Sequence, residues 1–382
     1  MKNLLRLLFI LFVLFTFTNT QSVYAEQSLP LTTEASILVE ASTGTTLHEL
    51  NSDEKKYPAS ITKIATVIYA IEHGTLDDIV TISYNARRAN GTRVYLEEGE
   101  QVTLEKLLYG TMINSGNDAA TAIAEHISGT EEQFALDMTN YFKHELGITN
   151  TNFMNASGLY DDNHYTTAAD MAKIVQYAMK NEQFMQIFNA DRYRWIGQSW
   201  DTTLRAHHKM VNGNISYLGI TGGKNGYVPE SRYTLVTTAE QNNMHLIAIT
   251  LSGTQRQIYT DTKLLFDYGF EQFQLKTIEP TQTYKQFGRS FMLPDTVSFY
   301  IPIGASYETA VTKDGYLEIK TNDGLVKKAK LLDVTPIDEI KSVEKSSINP
   351  ITLNDRQPLT IIILGIVIVC IIAYFIFTKR RK

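Results

Sequence analysis

Apolar residues recur at Ile61, Ile64, Ile68 and Ile71, with Ala65 and Val67 filling in, and Gly74 closes the run. That spacing predicts a helix. A second helical period starts at Thr103 and carries Leu104, Leu107, Leu108 and Met112. A third runs from Asp118 to Ile127 before Gly129. Thr130-Glu-Glu-Gln133 has the form of a capping box, and Phe134, Met138, Phe142 and Leu146 follow it at helical spacing. Thr167 to about Lys180 reads as another helix, after an Asn-, Asp- and Tyr-rich loop over 152–166.

Strand patterns lie on either side of this helical block. Residues 35–50 read as two strands around a turn at Ser42-Thr43-Gly44. Residues 79–102 mix short strand-like pieces with turns. A glycine-rich approach between Val211 and Gly226 leads to a hairpin, Tyr233 to Ala239 and Met244 to Leu251, across Glu240 to Asn243. A helix near Ile258 to Tyr268 closes the unit. Strands at both sequence ends with helices between imply an α+β domain whose sheet joins N- and C-terminal segments. Short β-rich pieces follow it. The predicted organisation is a signal segment over 1–25, a catalytic domain over 26–272 and a small β-rich domain over 273–345. A polar linker over 346–358, a membrane span over 359–378 and a basic tail over 379–382 complete it.

Lys2 and Arg6, the apolar run Leu7 to Phe17 and the exit Val23-Tyr24-Ala25 make the leader a secretory signal. Leu359 to Phe377 approaches the ~20 apolar residues a helix needs to cross a bilayer. Lys379-Arg380-Arg381-Lys382 follows and predicts a cytoplasmic tail with the body outside. The expected location is a bacterial envelope, single-pass, with the catalytic domain extracytoplasmic. The lone Cys370 lies within the span, so no intramolecular disulfide forms. The chain has 382 residues, 43% hydrophobic and 20% charged, an ordinary folded composition. A net charge of −6 without a basic patch outside the termini argues against a nucleic-acid partner.

The candidate chemistry begins at Ser60 and Lys63. A serine needs an adjacent base to act as a nucleophile, and residues three apart share a helix face. Pro58 sits where a helix start tolerates proline, which places Ser60 among free backbone N–H groups. Ser-x-x-Lys also occurs at Ser52–Lys55 and Ser342–Lys345, so context decides. Two further patterns complete a set: Ser115-Gly116-Asn117 between two predicted helices, and Lys224-Asn225-Gly226 before a strand. His207-His208 and Asp161-Asp162-Asn163-His164 invite a metal reading, but no third ligand stands at a familiar spacing, and surface or loop positions are expected.

The ordered trio is a known signature of penicillin-binding proteins and class A β-lactamases. With Thr43-Gly44, Pro58 to Lys63, Leu107 to Gly110, Ser115 to Ala119 and Asn155 to Leu159, residues 30–272 resemble the serine D-alanyl-D-alanine carboxypeptidases (low-molecular-mass penicillin-binding proteins, peptidase family S11). The resemblance implies a penicillin-binding/β-lactamase-like fold, with an antiparallel sheet flanked by helices and a helical subdomain. It implies that terminal D-alanine is removed from peptidoglycan stem pentapeptides through an acyl-enzyme on Ser60, with β-lactams as inhibitors and no cofactor or metal. Lys63 would be the base and Ser115 a proton relay. Asn117, Lys224, Asn225, Gly226 and Tyr227 would bind substrate, Tyr227 through an oxyanion-hole N–H. Asn225 departs from the family's usual Thr, which keeps a non-catalytic or weakly active penicillin-binding relative as the alternative. A class A β-lactamase is disfavoured because no deacylating Glu-x-x-Leu-Asn follows Ser-x-Asn. Arg232 and Arg256 are weaker candidates for the substrate carboxylate, with a plain surface role expected of each.

Overall fold

A computed structural model describes residues 29–322 and 324–336. The signal segment, the linker, the span and the tail expected from the sequence lie outside the described residues. Among the described residues no helix is long and apolar enough to cross a membrane.

The main unit comprises the chain up to Ile278 with residues 297–310 and 318–328. It is built on a five-stranded antiparallel sheet. Its first strands are β1 (Ala35–Glu40) and β2 (Thr45–Leu50), joined by a turn in which the fully buried Glu40 carboxylate accepts from Ser42 and Thr43. Two short pairs lie within the helical part: β3 (Ile79–Thr81) with β4 (Gln101–Thr103), and β5 (Arg192–Ile196) with β6 (Asp201–Arg205). The remaining sheet strands are β7 (Ile220–Val228), β8 (Arg232–Gln241) and β9 (Met244–Gly253), and the order is β2-β1-β9-β8-β7. The N-terminal strand thus pairs with the last one, Ala35 opposite Leu251, as the sequence predicts. Asn242 and Asn243 make the β8–β9 turn with φ of 50° and 61°, the left-handed values a two-residue hairpin requires.

The helices are α1 (Thr62–His73), α2 (Tyr84–Arg87), α3 (Leu104–Ile113), α4 (Asn117–Ser128), α5 (Glu131–Leu146), α6 (Ala168–Ala178), α7 (Glu182–Phe188) and α8 (Gln255–Gln272). The sheet is covered on both faces, which explains the unbroken apolar stretches at the centres of β1 (Ile37 to Val39) and β9 (Leu246 to Ile249). Ile37, Val39, Ile247 and Ile249 pack with α1 and its neighbours. Leu38, Leu246 and Ala248 pack with Leu265 and Phe266 of α8. The alternation is the period of two that a strand imposes.

Residues Thr62 to Ala70 of α1 are all buried, so the helix is central. Gly74 is the C-cap that ends α1, as the sequence predicts, in an extended conformation at φ −123°; it is also tightly packed, since a Cβ there would stand 2.6 Å from Leu104 and 2.7 Å from Ile127. At α5 the Thr130 side chain caps Gln133, but the Gln133 amide turns to Asp137 at 2.7 Å, so the box is half made. The complete box is Thr254 with Gln257, at the start of α8. The sequence reading had not resolved α7 or the β5–β6 hairpin.

After α8, Phe273–Ile278 pairs with Val297–Pro302. The second unit covers residues 279–296, 311–317 and 329 onward. In it Thr283–Gln286, Arg289–Met292 and Leu332–Asp333 form an antiparallel three-stranded sheet.

Candidate active site

Ser60 sits in a 3-10 turn, Ala59–Ile61, that runs directly into α1. The turn is strained: Ala59 has φ +49° although it carries a Cβ. Two contacts hold it. Thr234 of β8 donates its hydroxyl to the Pro58 carbonyl at 2.8 Å. Gly158, at φ +81°, lies against the Ala59 carbonyl, where a Cβ would come within 1.9 Å. Ser60 itself is half-buried and open to a substrate.

Lys63, one turn along, is fully buried. Its Nζ lies 3.1 Å from Ser60 Oγ, 2.7 Å from Asn117 Oδ1 and 2.5 Å from the Ser157 carbonyl. No carboxylate is among these partners. Burial, and after it the Lys224 cation, hold the Lys63 amine well below its ordinary value, against a weaker pull from Glu131 and Asp118. A neutral amine facing a serine hydroxyl can take its proton.

Ser115 stands in the turn between α3 and α4 with φ +59°. Lys224 Nζ donates to its Oγ at 3.1 Å and to the Asn225 carbonyl at 2.8 Å. Burial drops the Lys224 amine to about 7. Asn117 gives its Oδ1 to Lys63 and donates its Nδ2 to the Asn90 carbonyl at 2.6 Å, so its amide bridges the nucleophile helix and the loop before β4. Beneath this, the buried Asp118 carboxylate gathers the Val94 and Leu96 N–H groups.

Strand β7 forms the opposite wall. Lys224 and Gly226 share one face, opposite Val236 and Thr234 of β8. At Gly226 a Cβ would stand 2.7 Å from the Ser60 backbone N and 2.5 Å from Thr234 Oγ1. Only a glycine lets the strand approach the nucleophile's N–H so closely. Asn225 alternates to the other face with Leu235, and its Oδ1 is buried with no hydrogen-bond partner among the described residues. Tyr227 follows with an exposed ring set against Tyr233 at a centroid distance of 4.5 Å.

The three sequence segments therefore meet: Ser60 with Lys63, Lys63 with Asn117, Ser115 with Lys224. The structure adds residues the sequence reading did not assign. The Ser157 carbonyl holds Lys63, and Asn155 Oδ1 shapes that turn by accepting from the Ser157 and Gly158 N–H groups at 3.2 and 2.7 Å. The Asn155-to-Leu159 motif was the available signal. The other Ser-x-x-Lys pattern that can be inspected stays apart, Ser52 bonding Glu49 and Lys55 lying over the Tyr165 ring.

Neither remaining arginine candidate is drawn to these groups. Arg232 pairs with Glu34 at 3.1 Å, and Arg256 is exposed near Lys209 and Tyr259. His207 is exposed, but His164 and His208 are buried rather than surface residues. His164 Nε2 meets Thr62 Oγ1 at 2.9 Å, and His208 Nε2 meets Thr237 Oγ1 at 2.9 Å against Gly223. They are packed polar groups of the core behind the site. Among the described residues no three His, Cys, Asp or Glu side chains cluster to hold a metal.

Residues 21–255 match the D-alanyl-D-alanine carboxypeptidase family, Peptidase S11. The chain belongs to this family. Among S11 relatives it is 35% identical over 289 residues to the D-alanyl-D-alanine carboxypeptidase DacF of Bacillus subtilis, covering 72% of each chain. To DacC of Escherichia coli it is 32% identical over 300 residues, 71% of this chain and 70% of that one. Its fold is similar to penicillin binding protein 5 from Haemophilus influenzae, with a TM-score of 0.67 at 24% identity over 80% of this chain and 97% of that one. The DD-transpeptidase of Streptomyces K15, solved as an S216A mutant, aligns with a TM-score of 0.59 at 27% identity, over 63% of this chain and 98% of that one. The S11 α+β architecture is therefore the architecture of this chain.

Proposed function

We propose that the protein is a serine D,D-carboxypeptidase that removes the terminal D-alanine from peptidoglycan stem pentapeptides. One observation carries the mechanism: a fully buried Lys63 amine 3.1 Å from Ser60 Oγ with no carboxylate bonded to it. Ser60 Oγ attacks the carbonyl between the two D-alanines while its proton passes to neutral Lys63. The Ser60 N–H and the Tyr227 N–H together stabilise the oxyanion. Ser115 passes its hydroxyl proton to the leaving amine and takes one in return from charged Lys224, whose Nζ donates to its Oγ. D-Alanine departs, and water hydrolyses the acyl-enzyme with the same groups in reverse. Lys224, when charged, attracts the substrate's terminal carboxylate. β-Lactams present a similar carbonyl and carboxylate and acylate Ser60. No metal or cofactor has a part in this chemistry.

A signal over 1–25 and a membrane span over 359–378 would hold this domain outside the cell membrane. The apolar run from Leu359 to Phe377 and the basic tail after it support that placement. The test is labelled penicillin on the full chain, followed by mapping of the label. Label on the Ser60 peptide that Ser60→Ala abolishes supports the reading, and label elsewhere overturns it.

A further inference from the structure

An open cleft of about 860 Å³, lined by none of the residues assigned above to catalysis, has cationic and aromatic walls. Its walls come from the segment after α2 and from the β5–β6 turn. Three arginines face it, and they are not equivalent. Arg87 is matched by Glu97 at 2.7 Å, with Glu98 close by. Arg88 rests on Tyr84, its Nη1 2.7 Å from the phenol oxygen, and Arg93 lies over the Tyr95 ring at 5.3 Å. Among the described residues neither Arg88 nor Arg93 has a carboxylate partner. Arg93 Nη1 also reaches the Arg87 carbonyl at 3.4 Å, and the remaining donors of the two guanidiniums are left to the cavity.

The aromatic side is held in place at a cost. Tyr95 has φ +58°, a strained value for a residue with a large side chain, and its ring is 51% exposed. The Asp118 carboxylate fixes the strain by taking the N–H groups on either side, from Val94 and Leu96. Ser199 Oγ donates to the Tyr95 carbonyl at 2.6 Å, and Trp200 meets the Tyr95 ring edge-on at 5.1 Å. Burial does not explain such a residue, because its ring is left in solvent.

The same segment is the scaffold of the active site. The Asn90 carbonyl holds Asn117 Nδ2, the Thr92 carbonyl accepts the Asn117 N–H at 2.7 Å, and the Arg93 carbonyl accepts from Asn114 Nδ2 at 2.8 Å. The segment that lines the cleft is thus bonded directly to Asn114 and Asn117, the residues that flank Ser115 and Gly116.

We infer that this cleft binds the acidic part of the stem peptide upstream of the scissile bond, a carboxylate pairing with Arg88 and Arg93 while apolar peptide lies on Tyr95 and Trp200. The inference rests on the carboxypeptidase reading and names the substrate feature that reading leaves open. A guanidinium presents a planar fork that fits a carboxylate in two bonds, whereas an amide in its place keeps the shape and loses the charge. The cleft thus selects stem peptides whose γ-linked D-glutamate keeps its free α-carboxylate over those in which it is amidated.

The test compares the full wild-type chain with the Arg88→Gln/Arg93→Gln double variant. The substrates are a pentapeptide with the free carboxylate, its α-amide, and a short acetylated tripeptide ending in D-Ala-D-Ala. The wild type is expected to favour the free acid in kcat/KM on the order of tenfold, the worth of roughly one charge-assisted hydrogen bond. The double variant brings that ratio to about one, with tripeptide turnover and penicillin acylation unchanged. A ratio near one in the wild type, or a preference that survives in the double variant, overturns the inference. Equilibrium binding of L-Ala-γ-D-Glu-L-Lys, which has no scissile bond, reads the cleft without catalysis. If the wild type releases no D-alanine yet binds this peptide more tightly than the double variant, the function reading fails and the cleft assignment stands. Equal binding, with or without turnover, removes the cleft assignment.

Discussion

Gly158 and Ala59 are in contact so close that a Cβ on the glycine would stand 1.9 Å from the alanine's carbonyl oxygen. The first of these residues is in the turn that presents the Ser157 carbonyl to Lys63, and the second begins the turn that presents Ser60. One point of contact therefore sets both halves of the nucleophile–base pair.

Gly158→Ala should cost stability by roughly 1–3 kcal/mol, since it adds strain at positive φ to a backbone clash. It should also slow penicillin acylation by about 10²-fold, because small displacements of reacting groups are expensive. Gly129→Ala is the control: Gly129 has φ +83° but open space around it, so acylation should hold while stability falls slightly. Stopped-flow acylation and thermal melts separate the two. Equal acylation rates for both variants would remove Gly158 from the account.

The pH profile follows from the two lysines. Acylation needs neutral Lys63, so its rate falls as pH drops through the depressed Lys63 value. Binding of the peptide carboxylate needs charged Lys224, which is lost as pH rises through about 7. The kcat/KM for a stem peptide should be bell-shaped, its alkaline limb set by Lys224. Lys224→Arg, charged throughout, should flatten that limb. An alkaline limb that persists in Lys224→Arg contradicts the assignment.

Two buried histidines should weaken the protein in acid. His164 is held at about 4 and His208 at about 3, both by burial, against an ordinary 6.5. The unfolded chain takes up these protons first as pH falls. The stability they confer is complete above about 6.5 and declines toward 4, at about 1.4 kcal/mol per pH unit for each. Urea midpoints at pH 7 and pH 5 measure it, and His164→Gln should reduce the slope. A slope indifferent to that change would place the acid sensitivity elsewhere.

Asn225 carries a buried Oδ1 without a partner, which costs free energy in a folded protein. Asn225→Thr replaces the orphaned amide oxygen with a rotatable hydroxyl that can donate as well as accept, and should raise stability by roughly 1 kcal/mol. Because Asn225 is on the edge strand next to Lys224, the change should appear in KM for the peptide and leave kcat within about threefold. A loss of stability in Asn225→Thr would show that the amide has a partner in solution.

Side-chain patterns carried much of this architecture. The periods at Leu104 to Met112 and Phe134 to Leu146 placed α3 and α5, and strand patterns at the two ends implied a sheet that joins them. What the sequence could not display were partners that have no side-chain identity. The carbonyls of Ser157, Asn90 and Pro58 hold Lys63, Asn117 and Thr234, and any residue type supplies a carbonyl. Gly74 read as a helix stop and is one, but its close packing against Leu104 and Ile127 left no mark in the sequence. His164 and His208 looked like loop histidines because their neighbours are polar, while long-range contacts bury them.

The central claim is that Ser60, with neutral Lys63 as its base, opens the terminal D-Ala–D-Ala bond. D-Alanine release from a stem pentapeptide by the full chain tests it most directly. Steady release by the wild type is expected, with a fall of about 10³-fold or more in both Ser60→Ala and Lys63→Met. Release that survives Ser60→Ala, or a wild type that is acylated by penicillin at Ser60 yet frees no D-alanine, would contradict it.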